Sequence, residues 1–156
     1  MQSRVLFPRQ YKIVLLSPLH RMSSFTPYLE IFVAAVITML IGYVWYMPKV
    51  FGDRWLKEVH LKKDAAMKKG MMTAMIVSFI CYLVTGFVVF QLVNAFDPSS
   101  IGDLLWLIFW LWIGFVGAVR LSHSLFEQKS MTYFWISSLH DLASILAMGL
   151  VFWLWK

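Results

Sequence analysis

The side chains of this chain that could do chemistry lie in its C-terminal half, at the spacing of helix faces. They form two stripes: Arg120, His123, Ser124 and Glu127 in one, and Ser137, His140, Asp141 and Ser144 in the other. Residues at positions i, i+3, i+4 and i+7 share one face of an α-helix. Arginine, histidine and carboxylate side chains on facing stripes could form a buried ion pair, bind an ion or small solute, or relay a proton.

A third polar stripe precedes these two. It consists of Ser78, Cys81, Tyr82 and Thr85. An earlier segment instead carries Ala34, Thr38 and Gly42, small residues at intervals of four that let helices approach closely. For the serine, threonine and cysteine positions the simplest interpretation is hydrogen bonding between packed helices. The candidate polar site takes Tyr82 and Thr85 from this stripe.

Composition indicates that the helices carrying these stripes cross a bilayer. Of the 156 residues, 60% are hydrophobic and 14% are charged, whereas about a quarter of the residues of soluble domains are charged. Four segments reach the roughly 20 apolar residues that a bilayer core requires, namely 28–47, 71–93, 104–125 and 131–155. We predict an all-α fold, a four-helix transmembrane bundle over residues 22–156. The polar stripes should face one another inside it, because lipid offers no hydrogen-bond partners.

The basic residues predict the orientation of the bundle, since short loops rich in Lys and Arg stay in the cytoplasm. The first loop carries seven, Lys49, Arg54, Lys57, Lys62, Lys63, Lys68 and Lys69, and the second loop, 94–103, carries none. We expect a multi-pass protein of the bacterial inner membrane, with the first loop cytoplasmic and both termini outside. The net charge of +6 gathers in this loop and the N-terminal tail, so it indicates no nucleic-acid partner.

The tail, residues 1–21, fits this orientation poorly. Its Arg4, Arg9, Lys12 and Arg21 would lie outside. Its apolar run IVLL is too short to span a membrane and is a poor signal-peptide core. We expect translation to begin at Met22, which removes the four misplaced charges.

Arg120 and Asp141 are costly at membrane depth, at about 2.5 to 3.5 kcal/mol each on insertion scales. Arg120 should lie about 9 Å, and Asp141 about 3 Å, to the cytoplasmic side of their helix centres. Helical side chains lean toward their own N-terminus, so in antiparallel helices these two lean toward each other. We expect an ion pair, with two alternatives: Arg120 snorkels to the headgroups, or both residues belong to a site for an ion or small solute.

His140 and His123 suggest a metal or haem site, but their predicted depths differ by about 9 Å, too much for shared ligation. The sequence contains no HExxH motif, and its single cysteine, Cys81, excludes an internal disulfide. We therefore expect no metal and no cofactor, and a hydrogen-bonded His140 that could titrate beside Asp141. The sequence pairs no nucleophile with a base, so we predict no enzyme.

The stretch WYMPKVFGDRW should turn the chain along the cytoplasmic interface. Its aromatic residues, the predicted anchors in the headgroup layer, are Trp45, Tyr46, Phe51 and Trp55. The following LKEVHLKKDAAMKK predicts a short basic helix on the membrane surface, held there by anionic lipid.

Two stretches carry a resemblance to a known family. GYVWYMPKVFGDRW fits the pattern G-x-x-WY-x-P-x-x-FG-x-x-W, and LFEQKS fits LFE-x-(K/R)-(S/P). Over roughly residues 28–155 the chain resembles the bacterial membrane family catalogued as domain of unknown function 1761. The resemblance implies four membrane helices, a protein that begins at its first span, and no assigned activity.

The leading functional hypothesis is a non-enzymatic membrane protein with a polar intramembrane site for an ion or small solute. A homo-oligomer would enlarge its interior, because four helices enclose little room. One alternative is a proton-coupled exporter resembling the small multidrug-resistance proteins, which use a glutamate within the first span, whereas Glu30 here lies at its outer edge. Another is a structural or regulatory subunit of a membrane complex that packs through Gly114 and Ala118.

Overall fold

A computed structural model of the chain describes residues 26–59 and 66–155, and these are helical apart from short turns. The helices are α1 (Thr26–Trp45), α2 (Asp53–Glu58), α3 (Ala66–Phe96), α4 (Ile101–Trp112), α5 (Ala118–Phe126) and α6 (Met131–Leu154). Two π-helical turns, Pro48–Gly52 and Ile113–Gly117, lead into α2 and join α4 to α5. The predicted N-terminal tail and the proposed start at Met22 lie outside the described residues.

Four helical segments are long and apolar enough to cross a membrane, which confirms the predicted four-helix class. They are Thr26–Trp45, Gly70–Phe96, Ile101–Phe126 and Met131–Leu154. Large apolar side chains are exposed along all four, as expected of surfaces that face lipid. The third span begins three residues earlier than predicted, because Ser100 caps it: the Ser100 hydroxyl accepts from the Asp103 N–H while the Asp103 carboxylate accepts from the Ser100 N–H.

The fourth span, α6, is the centre of the bundle. It packs against α1, α3, α4 and α5. In its most apolar stretch 44% is buried, against 22–28% in the corresponding stretches of the other spans. Gly149 makes one of these contacts close, since a Cβ there would lie 2.9 Å from the Cδ1 atom of Ile108. The core between α3 and α6 includes an edge-to-face contact of Phe90 with Phe152. A helix buried on several sides can carry polar groups away from lipid.

Side-chain contacts between loops fix which ends of the helices lie together. The Trp153 indole N–H, near the end of α6, donates to the carbonyl oxygen of Pro98 in the second loop, at 3.1 Å. At the opposite end, the Ser130 hydroxyl donates to the carboxylate of Glu58 at the end of α2. Ser130 also caps α6, accepting from the Tyr133 N–H at 3.0 Å. The first loop and the third turn, residues 127–130, therefore share one end of the bundle, as antiparallel spans require.

The short helix of the first loop lies earlier than the sequence indicated. It covers Asp53–Glu58 and ends at Val59, whereas the prediction placed it over LKEVHLKKDAAMKK, residues 56–69. Residues 66–69 instead belong to the start of α3, and residues 60–65 lie outside the described part of the chain. The earlier start has a local cause, because the turn Pro48–Gly52 is already helical and runs directly into α2.

Candidate functional site

The imidazole of His140 sits in a cage built by the end of α1 and the turn that follows it. Its ring centroid lies 6.0 Å from that of Trp45 and 5.1 Å from that of Tyr46. Gly42 makes room for the ring: a Cβ at that position would lie 3.2 Å from His140 Nε2 and 3.9 Å from the Tyr82 hydroxyl oxygen. His140 is 4% exposed, so the cage closes around it almost completely.

The turn Pro48–Gly52 holds the cage in shape. The Gly52 N–H donates to the carbonyl oxygen of Met47 at 3.0 Å, and a Cβ on Gly52 would lie 2.2 Å from the carbonyl oxygen of Tyr46. Only glycine fits against the backbone so closely. The turn thereby places Phe51 on Trp45, with centroids 4.8 Å apart, and lets Trp55 pack on Tyr46 at 5.4 Å.

The two ring nitrogens of His140 differ in their surroundings. Nδ1 lies 3.2 Å from the Oδ1 atom of Asp141. Nε2 is buried and has no hydrogen-bond partner among the described residues. If Nδ1 carries the proton and donates it to the carboxylate, Nε2 is left with a free lone pair. This nitrogen is the chemically available atom of the cage.

Asp141 joins this cage to the third span through Arg120. The Arg120 Nη2 atom donates to the Asp141 Oδ2 atom, which confirms the predicted ion pair. The two side chains are 33% and 24% exposed. The π-helical turn Ile113–Gly117, in which the Ala118 N–H donates to Ile113 O, lies directly upstream of Arg120. Such a turn changes the direction of the side chains after it, and π-helical turns are frequent at functional sites.

Tyr46 closes the cage beyond the last residue of the first span. Burial, helped by the nearby charge of Asp141, raises the pKa of its hydroxyl to about 12, although a hydrogen bond with Ser137 lowers it in part. The phenol therefore keeps its proton at neutral pH and is available as a hydrogen-bond donor. Tyr82 is half-buried on α3, on the other side of Gly42.

On the far side of Asp141 a shallow groove of about 350 Å³ opens on the outer surface of α5 and α6. Its lining consists of Phe115, Val116, Val119, Arg120, His123 and Asp141. Phe115 and Val119 are largely exposed, so the groove opens sideways, toward the surface that lipid would cover. The ion pair thus lies between the closed histidine cage and an open groove.

The structure brings together only part of the predicted site. His140 and Ser144 are buried, Tyr82, Thr85, Arg120 and Asp141 are half-buried, and His123 and Glu127 are exposed. The expectation that these stripes face the interior is wrong for His123, Glu127 and Cys81. For His123 and Glu127 the cause is the position of the third span, which packs on α6 mainly along one edge and leaves most of its surface exposed. His123 nevertheless lines the groove beside Arg120.

Ser144 forms its hydrogen bond within its own helix, and not between helices as the sequence suggested for such residues. Its hydroxyl donates to the carbonyl oxygen of His140, one turn earlier in α6, at 2.9 Å. Thr38 does the same in α1, donating to Ala34 O at 2.9 Å. Ala34 and Thr38 are both fully buried, as expected for a face that lets helices approach closely.

The four predicted aromatic anchors pack within the protein as well. Trp45, Tyr46, Phe51 and Trp55 are all half-buried. The Trp45 indole N–H donates to the carbonyl oxygen of Ile136 in α6, at 3.0 Å, so this donor is already used. Whether the rings also lie among lipid headgroups stays a prediction.

The sequence patterns did not predict three buried features of the structure. The Trp112 indole N–H donates to Ser138 O at 2.8 Å and ties α4 to α6. Glu30 is fully buried near the start of α1. The cage around His140 was not predicted either. The sequence feature that indicates it is the grouping of Gly42 with the aromatic residues that follow.

The comparisons with known proteins gave one match, which includes this grouping. A family model described as "Protein of unknown function (DUF1761)" matches residues 29–153. The chain belongs to the DUF1761 family. No curated protein and no solved structure matches it.

In this DUF1761 protein the structure gives the pattern G-x-x-WY-x-P-x-x-FG-x-x-W a physical meaning. Gly42 leaves space for the imidazole, Trp45 and Tyr46 flank it, and Gly52 allows the turn that positions them. The pattern therefore encodes one structural unit, an aromatic cage around His140.

Proposed function

We propose that this protein is a non-enzymatic membrane protein whose interior polar site binds an ion, the proton, at His140. One observation carries the proposal: Nε2 of His140 is buried without a hydrogen-bond partner in the described part of the chain, while Nδ1 lies against a carboxylate. A buried polar atom without a partner is costly, so proteins keep few of them. Proton exchange at His140 would explain why its Nε2 atom is buried without a partner.

The groups around the imidazole are an ion pair and aromatic side chains. The ring is buried, and its Nδ1 atom lies 3.2 Å from the Asp141 carboxylate. The rings of Trp45 and Tyr46 contact it. Arg120 pairs with the same carboxylate of Asp141. The Tyr46 and Tyr82 hydroxyls complete the set of titratable groups that face the ring.

Asp141 thereby couples two events. When the carboxylate is fully engaged by Arg120, it stabilises the imidazolium less, and when the arginine moves away, it stabilises it more. Uptake of a proton at His140 and loosening of the ion pair would therefore favour each other. Such coupling is what a membrane protein needs to link proton binding to movement of the third span.

The setting of the site forms part of the proposal. We place the protein in the bacterial inner membrane, with the first loop in the cytoplasm and in contact with anionic lipid, and both termini outside. Lys49, Arg54 and Lys57 are the described basic residues of that loop. His140 then lies in the cytoplasmic half of the bilayer, about 14 Å from the start of α6.

A second candidate function has its own observation. A Cβ on Gly114 would meet nothing within 4 Å, and Ala118, one turn later, is exposed. This face could receive a helix of a larger membrane complex or of a second copy. This exposed face supports a second function, that of a structural or regulatory subunit of a membrane complex. The same chain could have both this face and the proton site.

Nitrogen-15 NMR of histidine-labelled protein in nanodiscs tests the proton site. The chain has four histidines, and the His140 signals are those lost in His140→Gln. We expect one protonated and one free ring nitrogen at high pH, and reversible protonation of the second as the pH is lowered while the protein stays folded. A ring that keeps a single proton throughout would show His140 to be a structural core residue.

Gly42→Ala perturbs this nitrogen directly, because its methyl group would lie 3.2 Å from Nε2 and only in ordinary contact, at 3.9 Å, with the Tyr82 hydroxyl oxygen. We expect the variant to fold and its His140 protonation to change, while Gly114→Ala, where the added methyl meets open space, leaves the titration unchanged. An equal response to both substitutions would contradict the assigned role of Nε2.

A further inference from the structure

The groove beside Arg120 is polar at a depth where lipid is apolar. Arg120 lies six residues before Phe126, the last residue of α5, which corresponds to about 9 Å along a helix. The third span has 26 residues and is about 39 Å long, while the hydrocarbon core measures about 30 Å. Arg120 therefore lies inside the core, so a molecule in the groove would arrive from the bilayer.

The groove has hydrogen-bond donors to spare. A guanidinium group carries five N–H donors, and in the described residues Arg120 has one hydrogen-bonded acceptor, the Oδ2 atom of Asp141. The Oδ1 atom of Asp141 lies against His140 instead. An unsatisfied donor in hydrocarbon costs several kcal/mol, on the order of a lost hydrogen bond or more. The remaining donors of Arg120 thus favour a ligand that brings acceptor oxygens.

The charge of the groove selects the kind of acceptor. Arg120 and Asp141 balance each other, so the pair as a whole is neutral. A second anion would gain the arginine but meet the carboxylate of Asp141 in a low dielectric, where like charges repel strongly. A neutral carbonyl or ester oxygen accepts from the guanidinium without that penalty. The apolar lining of Phe115, Val116 and Val119 suits an acyl chain.

We propose that the groove binds an uncharged amphiphile whose head presents carbonyl or ester oxygens to Arg120, with its acyl chain along Phe115 and Val119. The volume of about 350 Å³ accommodates the head and the first part of a chain. His123, at the same groove, offers a second polar contact to the head. This inference goes beyond the proton site: the two sites share Asp141, but His140 lies outside the groove lining.

Photo-crosslinking in nanodiscs made from ether-linked phosphatidylcholine tests the groove, because that lipid has no competing ester carbonyl. The probe is a monoacylglycerol with a diazirine in its acyl chain, and mass spectrometry locates the label. We expect labelling concentrated in residues 113–123, and labelling reduced about tenfold for the corresponding ether, which lacks the carbonyl. Labelling spread evenly over the four spans, or equal labelling by the ether, would overturn the proposal.

Two variants and one competitor sharpen the test. Val119→Trp fills the groove and should reduce labelling about tenfold, while Val88→Trp, at a similarly exposed valine on α3, should leave it unchanged. An equal effect of both, or no effect of the first, counts against the groove. Excess dodecanoate should compete less well than unlabelled monoacylglycerol, and stronger competition by the anion would refute the choice of a neutral head.

Different variants test the proton site at His140 and the amphiphile groove at Arg120. Val119→Trp should reduce labelling about tenfold while His140 still takes up and releases a proton, and His140→Gln should remove the His140 signals without abolishing labelling. Loss of labelling in His140→Gln at preserved fold would show that the groove is not independent of the cage.

Discussion

The two carboxylate oxygens of Asp141 contact two different partners, Arg120 and His140. One oxygen pairs with Arg120 of the third span, and the other lies 3.2 Å from His140 Nδ1 within α6. Both ionisable neighbours thereby depend on a single side chain. Both residues lie on helices long and apolar enough to cross a membrane, and lipid screens an ion pair less than water screens a surface pair. The pair should therefore contribute more to stability than an ion pair on a soluble protein.

A double-mutant cycle measures this contribution. We expect Asp141→Asn and Arg120→Gln each to lower the free energy of unfolding by about 3 to 5 kcal/mol, because each leaves the other charge unpaired at membrane depth. The double variant should lose less than the sum of the two. Unfolding of the four proteins in mixed micelles gives the coupling energy, and strictly additive losses would remove the ion pair as a source of stability.

At the scale of elements, two π-helical turns decide where the site forms. The turn Pro48–Gly52 places Phe51 against Trp45, whose indole N–H donates to the carbonyl oxygen of Ile136 in α6. The turn Ile113–Gly117 interrupts the third span just before Arg120. A regular helix through either turn would direct the following side chains elsewhere, because each π-helical turn holds one residue more than an α-helical turn. The cage and the ion pair thus depend on these departures from ideal helix geometry.

Gly52→Ala probes the first of these turns. The added methyl group would lie 2.2 Å from the carbonyl oxygen of Tyr46, so backbone atoms must move. We expect a loss of about 3 kcal/mol in the free energy of unfolding. Gly70→Ala is the control, since its Cβ meets nothing within 4 Å and alanine favours a helix by up to about 1 kcal/mol. Equal stability of the two variants would show that the turn tolerates a side chain.

At the scale of the whole molecule, the ends of the bundle differ in charge. The loop with α2 carries Lys49, Arg54 and Lys57 among its described residues, and it shares an end with the third turn, which contains Lys129. The opposite end carries Asp97 and Asp103 in and beside the second loop. This asymmetry predicts a single orientation in the membrane.

Cysteine labelling tests that orientation. In a Cys81→Ser background, Arg54→Cys should be protected from an impermeant reagent applied to intact cells, and Ser99→Cys should react. Both native residues are exposed, so accessibility depends on the side of the membrane. Reaction at position 54 together with protection at position 99 would reverse the topology, and it would move His140 to the outer half of the bilayer.

The sequence by itself determined the class and much of the pairing. Long apolar segments must be helical in a bilayer, because only a helix satisfies the backbone of a single span. The spans followed from that rule to within about five residues, a usual uncertainty for helix ends. The contact of Arg120 with Asp141 followed from helix rise and from the lean of side chains in antiparallel helices. These are local properties, which a sequence records directly.

Only the tertiary structure decided which polar residues face inward. Helical spacing places Arg120, His123 and Glu127 on one face, but the third span packs on α6 along one edge and leaves His123 and Glu127 exposed. The cage around His140 joins Gly42, Tyr46 and Gly52 to a residue almost a hundred positions later. Periodicity reports the face of one helix, whereas burial depends on which neighbours that face meets, and this choice results from the packing of all four spans together.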